Sequence, residues 1–144
     1  METAPSILVV DDDPDIRQTL AEMLCDGRRR VATARDGYEA LEKLDCLERP
    51  CLVLLDLMMP RMNGLDFLEH LSKQANVDDV SVVVMSAHDG LRREAQRHAP
   101  VRAALKKPFD FESLLSLVDA GRSSQPDQDP ARAEGNPQVI PSNW

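Results

Sequence analysis

The sequence predicts an α/β fold, a five-stranded parallel sheet doubly wound by helices in (βα)5 order. Three observations carry that prediction. Short apolar runs alternate along the chain with stretches of helical periodicity, the pattern of a parallel sheet with crossover helices. The strongest runs, Ile7 to Val10, Leu52 to Leu55 and Val80 to Met85, are nearly continuous, as strands buried on both faces require. The residues that end the runs are carboxylates, a serine and a lysine, types that do chemistry.

The elements follow in order. Ile7 to Val10 runs into Asp11, Asp12 and Asp13. Asp13 is placed as an N-cap and Pro14 as the first helical residue, where its fixed φ is suited. Asp15 then complements the helix dipole, and Ile16, Leu20, Met23 and Leu24 keep the i, i+4, i+7, i+8 spacing. Arg30 to Ala34 is a weaker strand, and the run Arg28-Arg29-Arg30 reads as a solvated loop or strand start. Leu41, Leu44 and Leu47 mark the second helix, and Leu52 to Leu55 a strand ending at Asp56. Leu65, Leu68 and Leu71 mark the third helix, and Val80 to Met85 a strand ending at Ser86. The helix from Leu91 to His98 is mostly charged. Ala103 to Lys106 is a weaker strand followed by Lys107. Phe111, Leu114, Leu115 and Val118 form the last helix, with Asp110 as N-cap and Gly121 past its end.

From Gly121 on, the chain has four prolines, few apolar residues and no periodicity. The division is therefore a folded domain over 1–121 and a disordered Pro-rich tail or linker over 122–144. Val139, Ile140 and Trp144 are its one candidate docking peptide, with a functionless tail preferred.

Composition sets outer bounds. The chain has 144 residues, 42% of them apolar, which suffices for one domain with a core. No run reaches the roughly 18 apolar residues of a membrane span, and the N-terminus has no basic leader, so a cytoplasmic protein is expected. Cys25, Cys46 and Cys51 are odd in number, fit no zinc spacing and read as buried or half-buried thiols. His70, His88 and His98 lack ligand spacing and are expected on exposed helices or loops. Seventeen basic against 25 acidic residues give a net charge of −8, which argues against direct nucleic-acid binding.

Ligands of open parallel sheets bind at the carboxyl ends of the strands. That rule gathers Asp11, Asp12, Asp56, Ser86 and Lys107. Three carboxylates in one crevice repel unless a cation sits among them, and an all-oxygen ligand set suits Mg²⁺. A carboxylate there can attack a phosphoryl group, while a cation and a hydroxyl steady the transferring oxygens. The set reads as a phosphoryl-transfer site.

The segments VVDD at 9–12, DLMMPRMNGLDFL at 56–68, MSAHD at 85–89 and KKPF at 106–109 carry a resemblance. Over residues 6 to about 120 the chain resembles the CheY-like receiver domains of two-component response regulators. The resemblance implies the flavodoxin-like strand order 2-1-3-4-5. It makes Asp56 the phospho-acceptor, taking its phosphoryl group from a sensor histidine kinase or a histidine phosphotransfer protein. Asp12 would bind Mg²⁺ directly and Asp11 mainly through water, with Asp56 and the main-chain carbonyl of Met58 completing the set. Lys107 would pair with Asp56 and then with the phosphoryl oxygens, its bond to Pro108 being cis. Ser86 would move toward the phosphoryl group.

The implied protein is a single-domain regulator in a phosphorelay, not a turnover enzyme, catalysing only its own phosphorylation and dephosphorylation. It would act as a monomer or a phosphorylation-linked dimer, with no membrane or nucleic-acid partner. A downstream protein would bind the fourth helix, fifth strand and fifth helix. That face would carry Arg92, Arg93, Arg97 and Arg102 and so suit an acidic partner. Two departures stand out. Ala104 occupies the place of a frequent aromatic switch residue. Met58 and His88 occupy two places that tune self-hydrolysis, and neither is an acid or amide, so the phosphorylated form is expected to be long-lived. A phosphate-release time course checks this, and loss within seconds would contradict it. Two alternatives are a degenerate receiver that binds partners without phosphorylation, and a haloacid-dehalogenase-type phosphatase with Asp11 as nucleophile. The latter also needs a residue such as Thr shortly after the Asp pair and a late acidic pair, neither of which is present.

Overall fold

The computed structural model describes residues 6–25, 27, 29–74, 77–122 and 139–141. Its strands are β1 (Ser6–Val10), β2 (Val31–Ala34), β3 (Cys51–Asp56), β4 (Val80–Ser86) and β5 (Val101–Lys106). They alternate with α1 (Pro14–Leu24), α2 (Gly37–Leu44), α3 (Gly64–Ser72), α4 (Asp89–Ala95) and α5 (Phe111–Arg122). The five strands are parallel in the order 2-1-3-4-5, the doubly wound α/β architecture expected.

The strand alternation divides the core into two layers. Leu8, Val10, Val53, Leu55, Val82 and Val84 pack with Ala40, Leu44, Phe67, Leu68, Leu71 and Ala95 of α2, α3 and α4. The intervening Ile7, Val9, Leu52, Leu54, Val83 and Met85 pack with Leu20, Leu24, Leu114 and Val118 of α1 and α5. Both faces are thus covered, which is why the central runs are apolar at nearly every position. On β5 the alternation slips once. The register with β4 shifts between Val82 and Val83, so that Val82 faces Val101 and Val83 faces Ala103. Arg102 is the extra residue, and Val101 and Ala103 consequently join opposite layers.

The caps are those the sequence proposes. The Asp13 carboxylate accepts from the N–H groups of Asp15 and Ile16, and Pro14 starts α1. The Asp110 carboxylate accepts from the Ser113 N–H at 2.7 Å. Other details depart from expectation. α5 runs through Gly121 to Arg122 rather than stopping before Gly121. Leu47 lies beyond the end of α2, in turns that follow Leu44, yet is buried. Cys25 and Cys46 are exposed; Cys51 is buried on β3, and burial pushes its thiol up to about 11. Arg29 is no solvated loop residue, being buried and paired with Asp119 of α5 at 3.5 Å.

Within the stretch read as a tail, Val139–Pro141 forms β6, antiparallel on the outer edge of β5, with Ala104 facing Ile140. The rest of that stretch, 123–138 and 142–144, lies outside the described residues. Among the described residues, no helix is long and apolar enough to cross a membrane.

Candidate functional site

Parallel register brings the strand ends to one edge. Val10 faces Leu55, Asp56 faces Met85 and Ser86 faces Lys106, so the residues just beyond these pairs meet at the carboxyl end of the sheet. There Asp11, Asp12 and Asp56 each place a carboxylate oxygen within 4.8 Å of the others. Asp11 and Asp56 are buried and Asp12 is exposed.

Asp11 is held from several sides. One carboxylate oxygen accepts from the Asp13 N–H at 2.9 Å and the other from the Lys107 ammonium at 3.2 Å. Its carbonyl accepts from Arg17 Nη1 at 2.8 Å. The Asp56 Oδ1 accepts from the Met58 N–H at 3.2 Å and lies 3.6 Å from Lys107 Nζ. Lys107 therefore bridges the two buried carboxylates and sits nearer Asp11 than Asp56. Its bond to Pro108 is cis. The buried Ser86 hydroxyl accepts from the His88 N–H at 3.0 Å. Met58 is an exposed side chain at the mouth of the site.

The electrostatics follow from this crowding. Burial pushes the Asp56 carboxyl up to about 6, the neighbouring Asp11 charge pushes the same way, and Lys107 and the Met58 N–H oppose them. Three carboxylates facing one ammonium leave an excess of negative charge on hard oxygen donors. That donor set fits a divalent cation such as Mg²⁺, which takes one or two carboxylates and keeps several waters.

The loop that carries Met58 is tied down by a contact not foreseen from the sequence. Arg61 stands at φ 66° and pairs with the buried Asp36, and its guanidinium lies 5.8 Å from the Tyr38 ring centre. Asp36 also caps α2 by accepting from the Glu39 N–H at 2.9 Å, and that bond together with Arg61 holds its carboxyl below the usual carboxylate range. The partner of Asp36 lies 25 residues later in the chain, and nothing local announces it.

The expected basic output face needs correction. Arg92 is buried, donating to the Ser86 carbonyl and pairing with Asp89. Arg102 is half-buried, displaced by the β5 irregularity, and donates to the Leu117 carbonyl. Only Arg93 and Arg97 of the four stay exposed. His88 is exposed as expected, but it also caps α4, its Nδ1 accepting from the Leu91 N–H at 3.1 Å.

Comparison with known proteins agrees with this geometry. Residues 7–119 match the family described as the response regulator receiver domain. The response regulator MprA of Mycobacterium sp. (strain KMS) is 40% identical over 126 residues, which are 86% of this chain and 54% of that protein. The chain thus spans about half the length of the curated relatives it matches. The chemotaxis response regulator CheY4 of Vibrio cholerae is 28% identical with a TM-score of 0.69, over 82% of this chain and 98% of that one. The response regulator TrrA of Thermotoga maritima, solved in complex with Mg(2+)-BeF, is 31% identical with a TM-score of 0.68, over 81% of this chain and 97% of that one. The acidic pocket at the carboxyl edge of a 2-1-3-4-5 sheet and the match over residues 7–119 place the chain in the response regulator receiver family, the domains of phosphorelay signalling.

Proposed function

We propose that this receiver accepts a phosphoryl group on Asp56 from a phosphohistidine of a sensor kinase or a histidine phosphotransfer protein, and signals by phosphorylation-dependent protein binding. The observation that carries the reading is the position of the Asp56 carboxylate. It is buried at the end of the central strand, within 4.8 Å of Asp11 and Asp12 and within ion-pair range of Lys107. The match covers only about half of its curated relatives, so the reading is of the receiver unit, working in the cytoplasm.

Asp56 Oδ attacks the phosphorus as the N–P bond of the donor breaks and the imidazole leaves with its electron pair. Burial makes Asp56 poorly solvated and therefore reactive, while Lys107 keeps enough of it ionised to attack. As charge moves onto the phosphoryl oxygens, the Lys107 ammonium follows it away from Asp56 and Asp11. Ser86 turns its O–H to donate to the same oxygens. Asp11, Asp12, Asp56 and the Met58 carbonyl would hold Mg²⁺, which when bound neutralises charge on the transferring group. The self-catalysed transfer and the later hydrolysis are the whole of its chemistry.

Incubation with acetyl phosphate and Mg²⁺, read by intact mass, tests this. The expected result is one phosphoryl adduct on the protein, absent in Asp56→Asn and in the presence of a chelator. An adduct surviving in Asp56→Asn would contradict it. No adduct in any form would favour a binding module that works unphosphorylated, and multiple turnover lost in Asp11→Asn would favour a phosphatase.

A further inference from the structure

Arg92 is only 4% exposed, although it lies on the most highly charged helix of the chain. Its Nη1 donates to the Ser86 carbonyl at 2.8 Å, and its Nη2 pairs with the exposed carboxylate of Asp89. Its Nε is buried without a hydrogen-bond partner. A buried guanidinium with an unmet donor is a poor way to stabilise a core, so its place calls for another reason.

The oxygen that Arg92 holds is shared. The main-chain N–H of Lys107 donates to the same Ser86 carbonyl at 3.1 Å. The Ser86 peptide is therefore clamped between the residue that brings the ammonium to the site and a side chain of α4. The Ser86 hydroxyl leads to the same helix, because its partner His88 caps α4 through Leu91. On the neighbouring strand, Ala104 is fully buried and offers only a methyl group, so no ring at that position can follow a displacement of Ser86.

We propose that Arg92 is a positioning residue that couples Ser86 to α4, a guanidinium relay in a receiver that lacks an aromatic one. The proposal rests on the phospho-acceptor reading of Asp56. When the Ser86 hydroxyl turns toward phosphoryl oxygens, it gives up its bond from the His88 N–H and its peptide tilts. The carbonyl carries Nη1 with it. A guanidinium is a planar, rigid fork, so movement at Nη1 is transmitted to Nη2 and Asp89. An ammonium on a flexible stem would swivel and pass nothing on. The free Nε is a spare donor that can take up a carbonyl as the fork tilts, so the shift need not break a bond without making one.

The test uses the full chain labelled with ¹⁵N, with Mg²⁺ alone and with Mg²⁺ plus beryllofluoride as the phosphoryl mimic. In the wild type the Arg92 Nε–H signal should shift, and amide exchange across 89–95 should change by roughly tenfold. Arg92→Lys keeps the charge without the fork, and Arg92→Met keeps the stem alone. Both should retain the beryllofluoride-induced shifts at Leu57 and Met58 while the exchange response of α4 falls below about twofold. A wild-type response of α4 in both variants would overturn the coupling. So would an Arg92 Nε–H signal in the wild type that stays fixed while Leu57 and Met58 move, a result that needs no variant to fold. If Leu57 and Met58 themselves do not respond in the wild type, the phospho-acceptor reading fails and the relay with it.

Discussion

Asp56→Asn should stabilise the metal-free protein at pH 7.5, by about 2 kcal/mol, and the gain should vanish near pH 4. The reason is the cost of keeping this carboxylate ionised. Asp56 is 5% exposed and beside Asp11, and its folded pKa rises from 3.8 to about 6. A raised carboxylate pKa means that the folded state binds the proton more tightly than the unfolded chain. Stability is therefore greatest below the unfolded value, falls as pH rises from about 4 to about 6, and is flat above that. Every tenfold gain in proton affinity on folding costs the ionised form about 1.4 kcal/mol, and the loss of the Lys107 contact in the variant offsets part of the gain. Chemical denaturation in EDTA at pH 4, 5, 6 and 7.5 reads the difference directly. A variant destabilised at pH 7.5 and less so toward pH 4 would show that Asp56 is an ordinary paired carboxylate. Added Mg²⁺ should narrow the gap at pH 7.5, because a cation among the three carboxylates relieves in the wild type what the amide relieves in the variant.

Gly64→Ala should destabilise the fold by about 1–3 kcal/mol and slow adduct formation from acetyl phosphate more than tenfold. The glycine is needed for a close approach of backbone, not for an unusual φ. A Cβ at Gly64 would lie 2.7 Å from the Leu57 Cα and 2.9 Å from the Asp56 carbonyl oxygen. Neither atom is the end of a flexible side chain, so the strand end must shift. The same glycine N–H donates to the Leu57 carbonyl at 3.1 Å, locking the start of α3 onto the residue after Asp56. Displacing that contact moves the Asp56 carboxylate relative to Asp11 and Lys107. Thermal unfolding gives the stability change, and intact mass over time gives the rate. A variant as fast as the wild type would mean that the Asp56 to Gly64 loop does not set the position of the carboxylate.

Much of this molecule was legible because its fold rests on periodicity. Apolar runs buried on both faces marked β1, β3 and β4, and apolar residues at three- and four-residue spacing marked α1, α2, α3 and α5, while β2, β5 and the charged α4 were fainter and were placed by the alternation. The rule that ligands meet at strand ends then selected Asp11, Asp12, Asp56, Ser86 and Lys107 from the pattern alone. What escaped depends on contacts between distant residues or on single-residue offsets. The inward turn of Arg92 was hidden by its charge, although its position three residues before the buried Ala95 placed it on the covered side of α4. The slip at Arg102 has no signature in a run as short as β5, and it removed a second arginine from the expected surface. The tie from Arg61 to Asp36 joins two loops that only the assembled sheet brings together. β6 lies in a proline-rich segment with no periodicity, and a three-residue strand is too short to announce itself.

The central claim is that Asp56 forms a bond to phosphorus. Borohydride reduces an acyl phosphate to the corresponding alcohol, so a phosphorylated aspartate becomes homoserine. Treating the acetyl phosphate-labelled protein with borohydride and mapping its peptides by mass should give homoserine at position 56 and at no other aspartate. Homoserine at position 11, or a phosphorylated protein with an unaltered Asp56, would contradict the account.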